Sequence, residues 1–301
     1  MMLQMRRKLY LLLPILLIFN FACLEEAEDI EFDEPQIMPL EGLQSISPDY
    51  FKIVRADENE IPLAFSVQDD SGIEEIKIES HSGFDGHTHG RRALGSNFLL
   101  FNYFHVIEAS DLEDPTFFST TEDDDLTIYL DERHDGLGEN DNILAGPYHF
   151  SITATDVDGN ETSYRENTTY HTVIYIQRPY APQIEINSDD LSNEEISGRI
   201  FRNTTHELSS DIGFVWLFIE KRDQDKPNQE GEIMEEWIWG EANWPHQFRD
   251  NNGKALPNAQ DIDINSLIES ESISLDLADD ERIVLWVEDG NGNISVEYFS
   301  K

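Results

Sequence analysis

Three histidines fall within nine residues in the run His81-Ser82-Gly83-Phe84-Asp85-Gly86-His87-Thr88-His89-Gly90. In an extended chain alternate side chains share a face, so His87 and His89 project together. Two neutral imidazoles so placed can share a Zn²⁺ or Cu²⁺ ion, with Zn–N distances of about 2.0–2.1 Å. His81 precedes a glycine-rich turn that can fold it back. His149 alternates with Tyr148 and Phe150 and is expected to point outward with Ser151 and Thr153, where it can join them. The expected ligand set is therefore His81, His87, His89 and His149. The competing reading is a solvated, glycine-flanked loop. Convergence of the imidazoles in space separates the two.

Other residue types offer weaker chemistry. Trp237 and Trp239 lie in a long segment from Arg222 to Asp263 and share a face if extended. An exposed pair of this kind can stack on a sugar or a partner side chain. The competing reading lays them over an edge of the second core. Glu122 to Asp125, Asp131 to Asn142, and the trio Asp156, Asp158 and Asn160 could offer oxygens to Ca²⁺, although none has the helix–loop–helix calcium spacing. No nucleophile elbow, phosphate loop, zincin helix or catalytic cysteine is present, and a non-enzyme is expected.

The one cysteine has a different meaning. Arg6, Arg7 and Lys8 precede the apolar run Leu9 to Ala22, and Cys23 follows at once. The run is shorter than the roughly 17–25 residues a spanning helix needs, and it contains Pro14. It reads as an export signal ending at a lipid-modified Cys23. Asn20 and Phe21 depart from the usual residues before such a cysteine. Two or more acyl chains, at about 0.8 kcal/mol per buried methylene, anchor a protein stably to a membrane. The acids Glu25, Glu26, Glu28 and Asp29 come next. Removal of the signal takes the formal charge from −42 to −45. A surface this acidic repels phosphate backbones, so nucleic acid is excluded as a partner. With a hydrophobic fraction of 39 % and an aromatic fraction of 11 %, the chain still has material for real cores.

These groups must be positioned by strands. Period-two alternation recurs in Leu63 to Val67, Ile76 to Ile78, Leu126 to Leu130 and Tyr148 to Ala154. It returns in Ile184 to Ile186, Ile273 to Leu277 and Ile283 to Val287, while no long 3.6-residue pattern is seen. The chain reads as all-β. Two turns look alike, Asp156-Val157-Asp158-Gly159-Asn160 and Asp289-Gly290-Asn291-Gly292-Asn293. Each follows, by 87 and 79 residues, a glycine that opens an apolar strand, Gly72 and Gly213. Two copies of one immunoglobulin-like sandwich explain this, with one larger sandwich as the alternative. The expected organisation is a signal over 1–22, a lipidated acidic tether over 23–48, and a first sandwich over 49–178. A second sandwich over 179–301 follows the break at Arg178-Pro179-Tyr180-Ala181-Pro182.

A resemblance adds to this reading. Asp69-Asp70-Ser71-Gly72-Ile73, the histidines after the next strand, and Ala145-Gly146-Pro147-Tyr148-His149-Phe150 running into Asp158-Gly159-Asn160 resemble the Bacteroidota lipoprotein family of unknown function numbered 4625. The resemblance covers Ile61 to about Gln177. It implies an immunoglobulin-like fold and a surface lipoprotein, and it supplies no activity. The acids after Cys23 likewise resemble the signal that sends Bacteroidota lipoproteins to the outer leaflet of the outer membrane. The resulting expectation is a non-catalytic, surface-exposed outer-membrane lipoprotein for binding or capture, of a transition metal through the first sandwich. The alternatives are an adhesion or glycan- or protein-contact module with incidental histidines, and an accessory subunit of an outer-membrane transporter.

Overall fold

The computed structural model describes residues 34–84, 97–120, 126–139, 141–190, 195–245 and 249–300. Cys23, His87, His89 and His246 lie outside them. Residues 34–301 form one compact unit. Among the described residues no helix is long and apolar enough to cross a membrane.

The first half is built on strands β1 (Gln36–Met38), β2 (Ile53–Val54), β3 (Glu60–Pro62), β4 (Ser66–Gln68), β5 (Ile73–Ser82), β6 (Tyr103–Glu108), β7 (Phe117–Ser119), β8 (Thr127–Tyr129), β9 (Gly146–Asp156) and β10 (Tyr170–Ile176). They form a five-stranded sheet ordered β2-β10-β9-β5-β6, a three-stranded sheet ordered β1-β4-β7 and the pair β3-β8. Register explains the alternation read from the sequence. Ile78 pairs with Ile152 and Ile174 with Tyr148, so one face of the large sheet carries Ile76, Ile78, Tyr148, Phe150, Ile152 and Ile174. These residues are buried in one cluster with Phe65, Val67 and Ile128 from the other strands. The opposite face carries Glu79, His81, His149, Ser151, His171 and Val173. One buried face and one polar face are what an antiparallel sheet with alternating residues produces. The start of β1 differs from the expected tether: Gln36–Met38 pairs with β4 as part of the first sandwich.

The second half contains β11 (Gln183–Asp190), β12 (Glu195–Phe201), β13 (Ile212–Lys221), β14 (Glu232–Gly240), β15 (Asp261–Asp263), α1 (Ile264–Glu271), β16 (Glu281–Asp289) and β17 (Ile294–Ser300). The sheets run β11-β12-β15 and β14-β13-β16-β17. In the central strands β13 and β16 of the four-stranded sheet both faces are covered. Val215, Leu217, Ile283, Leu285, Val287 and Phe299 join the core formed with α1 and β12. Phe214, Trp216, Phe218, Val284, Trp286 and Val296 join the core of the first half. This accounts for the continuous apolar runs in β13 and β16, since alternation disappears when both faces are dry. The break at Arg178-Pro179 falls between β10 and β11, but the hydrophobic core continues across it.

The short helix was not expected from the pattern. Asp263 caps it, accepting hydrogen bonds from the backbone N–H of Asn265 (2.9 Å) and Ser266 (3.4 Å), and Ile264, Leu267 and Ile268 are buried. Eight residues give too few turns for a 3.6 period to stand out. Ile273 to Leu277 differs too. Its three apolar side chains are buried, yet it belongs to no strand. The alternation there reports burial and not ladder pairing.

The two similar turns form with one geometry. Asp156 Oδ1 accepts from the backbone N–H of Asp158 (2.9 Å) and Asn160 (2.7 Å), while Asn160 Nδ2 donates to Oδ2 (2.7 Å). Asp289 Oδ1 accepts from Asn291 (2.9 Å) and Asn293 (2.8 Å), while Asn293 Nδ2 donates to Oδ2 (3.1 Å). Gly159 and Gly292 take the same positive φ, 88° and 87°, the conformation in which glycine carries no Cβ penalty. The Asp156 carboxylate is thus held by its own turn rather than presented to a Ca²⁺ ion.

Candidate binding cleft between the halves

The polar face of the first sheet meets the second half at a cleft of about 900 Å³. On one wall stand His81 from β5, His149 from β9 and His171, Val173 and Tyr175 from β10. The other wall comes from β13, β16 and β17: Trp216, Phe218, Glu220, Val284, Trp286 and Tyr298. Residues 228–233 form a lip. The walls meet where Tyr175 packs edge-on against Trp286 (6.1 Å) and Tyr298 (6.0 Å between centroids).

His81 and His149 are direct cross-strand partners, with ring centroids 5.4 Å apart and tilted by 41°. Gly83 allows this placement, because a Cβ there would lie 3.2 Å from the His149 ring. His81 Nδ1 lies 3.2 Å from Glu79 Oε1, one pleat earlier on the same face. His171 sits on the next strand and is half-buried. Burial lowers its pKa against the opposing bond to the Thr169 carbonyl, so the ring is neutral at pH 7. Tyr164 stands 4.8 Å from it, and Asn228 Nδ2 lies 3.1 and 3.0 Å from its two nitrogens. The other described histidines go elsewhere: His105 stacks on Tyr103, His134 packs on Phe101 and Tyr103, and His206 on Tyr180. Among the described residues no group of three or more His, Cys, Asp or Glu is placed to hold a metal ion. Of the expected ligand set, the structure brings His81 and His149 together, while His87 and His89 lie outside the described residues.

The charged groups on the second wall are paired. Arg282 reaches Glu220 at 2.9 Å and lies over the rings of Tyr298 (3.9 Å) and Phe51 (5.1 Å). Arg222 lies 4.6 Å over Phe51 and 3.6 Å from the same carboxylate. Burial drives the Tyr175 and Tyr298 hydroxyls well above the ordinary tyrosine value, so both stay protonated.

Within the second half Arg249 and Glu288, both with fully buried side chains, form a 2.6 Å pair. Glu288 also accepts from Trp286 Nε1 (3.1 Å) and from the backbone N–H of Asn243 (2.8 Å), and Arg249 lies 4.4 Å over the Phe214 ring. Burial raises the Glu288 pKa and lowers that of Arg249, each opposed by the partner charge.

Trp237 and Trp239 require a correction. They pair with Leu217 and Val215 and pack on the second core, Trp239 only 4 % exposed. Their shared face is the core side of β14, where Trp239 is buried and Trp237 is partly buried. The aromatic residues that line the cleft, Trp216 and Trp286, sit instead inside apolar runs whose second dry face no single-strand pattern reveals. Residues 21–171, half of the chain, match the family described as "Domain of unknown function (DUF4625)". The chain belongs to the DUF4625 family.

No curated protein matches this DUF4625 chain. Solved structures similar to it include native Escherichia coli alpha-2-macroglobulin, at 10 % identity and TM-score 0.24, covering 91 % of this chain and 16 % of that one. A second is SGBP-B of the Bacteroides ovatus mixed-linkage glucan utilization locus in complex with a heptasaccharide, at 12 % identity and TM-score 0.22, covering 90 % and 48 %. A third is the Pseudomonas aeruginosa CupB2 chaperone, at 10 % identity and TM-score 0.21, covering 85 % and 99 %. The chain spans less than half the length of the first two.

Proposed function

We propose that this DUF4625 protein is a non-catalytic binding protein, held at the outer face of the outer membrane by a lipid on Cys23, that captures its ligand in the cleft between its two halves. The observation that carries the reading is the cleft itself. Its volume falls within the range of about 300–1,000 Å³ typical of ligand sites, and it combines apolar rings with a few convergent polar groups. Glu220, its most buried acid, is held by Arg282, an arrangement suited to structure rather than proton transfer.

Ligand capture is tested by tryptophan fluorescence, because Trp216 and Trp286 line the cleft. A ligand that shifts the emission of the wild type should fail to do so when Trp216→Phe and Trp286→Phe are combined. An unchanged response there places binding elsewhere. Anchoring is tested by fractionation: Cys23→Ala should leave the membrane fraction, and a variant that stays membrane-bound refutes the lipid. Shaving intact cells with protease should degrade the protein, and full protection refutes exposure at the surface.

A second reading rests on the adjacent His81 and His149 rings. Two neutral imidazoles can hold Zn²⁺ or Cu²⁺ with the remaining positions supplied from outside the described residues. Calorimetry with zinc should then give a Kd below about 10 μM, or about −7 kcal/mol, that His149→Ala abolishes. Unchanged binding in that variant removes the pair from the site.

A further inference from the structure

Resting on the reading of the cleft as the binding site, we infer that its ligand is a neutral oligosaccharide. The argument is one of chemical elimination followed by fit. A cation is disfavoured at the inner rings, Tyr298 and Phe51, whose π faces are already occupied. Arg282 covers Tyr298 and Phe51, and Arg222 shares Phe51. An incoming positive charge would meet those guanidinium groups. An anion is disfavoured because Glu220, Glu230 and Glu232 line the cleft and the chain carries a formal charge of −42.

A purely apolar molecule fails for a different reason. Asn228 is only 8 % exposed and lines the cleft, and its Oδ1 has no hydrogen-bond partner. The oxygen is already out of reach of bulk water, and a hydrocarbon ligand would leave it unsatisfied. The amide orientation does not alter this, since Nδ2 and Oδ1 are chosen from the hydrogen-bond network. Whichever atom faces the cleft, a hydroxyl satisfies it, because a hydroxyl both donates and accepts.

A sugar ring supplies what is left: hydroxyls for Asn228, Gln229 and the His149 imidazole, and a C–H face for a flat ring. Tyr164 offers such a ring. It is 56 % exposed, lines the cleft, and is braced by His171 at 4.8 Å. Amphipathic aromatic residues of this kind pair an apolar body with a polar tip. The volume leaves room for several sugar units rather than one.

The test is calorimetric titration of the full-length protein in mild detergent with neutral gluco-, galacto- and manno-oligosaccharides, with oligogalacturonates, and with spermidine. The expected result is binding of a neutral series, weakened at least tenfold by Tyr164→Ala and by Asn228→Ala. Val157→Ala, 55 % exposed and outside the cleft lining, should leave it unchanged. Thermal melting of each variant is measured alongside, and Tyr164→Ala, at an exposed ring, keeps the test intact if Asn228→Ala unfolds. Binding of the oligogalacturonate or of spermidine that Tyr164→Ala abolishes overturns the ligand class and leaves the cleft standing. Neutral sugar binding indifferent to both variants overturns the cleft and leaves the ligand class. Absence of binding to every probe overturns the inference.

Discussion

Replacing Arg249 by Met removes one partner of a fully buried charge pair in the second half of the molecule. Glu288 would keep its bonds from Trp286 Nε1 (3.1 Å) and from the backbone N–H of Asn243 (2.8 Å), and it would lose the guanidinium at 2.6 Å. Removing one partner of such a pair costs about 3–5 kcal/mol. The retained donors and the apolar stem of Met, lying where Arg249 now covers Phe214, place the expected loss near 3 kcal/mol. The cost must depend on pH. Burial already raises the Glu288 pKa, and Arg249 is the largest opposing influence, so in Arg249→Met the carboxyl rises further. A carboxyl whose folded pKa lies above its unfolded value gives stability that is present at low pH and lost as pH climbs through the raised value, by about 1.4 kcal/mol per unit. Urea denaturation of wild type and variant, followed by tryptophan fluorescence, should therefore show the largest difference near pH 8 and a shrinking one toward pH 5. The double change Arg249→Met with Glu288→Leu should recover most of the loss, since buried pairs replaced by well-packed apolar residues are often neutral. A loss under about 1 kcal/mol, well below that range, or one that does not vary with pH, would refute the reasoning.

Other consequences are equally direct. Because one hydrophobic cluster contains residues of both halves, fragments 34–178 and 179–301 should each fail to fold when expressed alone, and circular dichroism of the whole protein should show one transition. Two separable transitions would contradict the shared core. Gly159→Ala and Gly292→Ala meet the same backbone strain, about 1–2 kcal/mol. Only the latter places a Cβ 2.8 Å from Trp244 Nε1, which donates to the Gly292 carbonyl, so its Tm should fall further; equal losses would show that the contact yields. The twin aspartates should titrate apart. Burial outweighs the turn hydrogen bonds at Asp289 and pushes its pKa to about 6, whereas at Asp156 burial is outweighed by the same bonds and the pKa falls below the ordinary value. Carboxylate NMR should resolve the two midpoints. Asp289 then contributes stability that fades as pH rises from the ordinary aspartate value toward 6, and Asp156 contributes stability lost as pH falls through its lowered value.

The fold was legible where one strand face is wet. In β9 the alternation of Tyr148, Phe150 and Ile152 with His149 and Ser151 fixes both the strand and the outward side of His149. The twin turns were legible because Asp, Gly and Asn each have a local backbone role. Three things were not. The double burial of β13 gives the same apolar run as an ordinary buried strand. The core side of β14 makes Trp237 and Trp239 look available when they are packed. The cleft was illegible because His171 and Asn228, 57 residues apart, meet only through the docking of the halves. Tyr164 and Asn228 carry no pattern of their own.

The shared core also bears on how the proposed capture would work. The cleft walls belong to one continuous body, with Arg55 bonded to Glu297 and the Ala145 N–H to Asn293 across the junction. On the proposed reading, a ligand would therefore meet a site already shaped for it. No closing motion taxes its affinity, and docking should proceed at the ordinary rate of about 10⁵–10⁷ M⁻¹s⁻¹ without a slow conformational phase. On the proposed reading, a binding protein that keeps one shape would not signal its load by moving, and a partner would have to contact the bound molecule itself at the open side of the cleft.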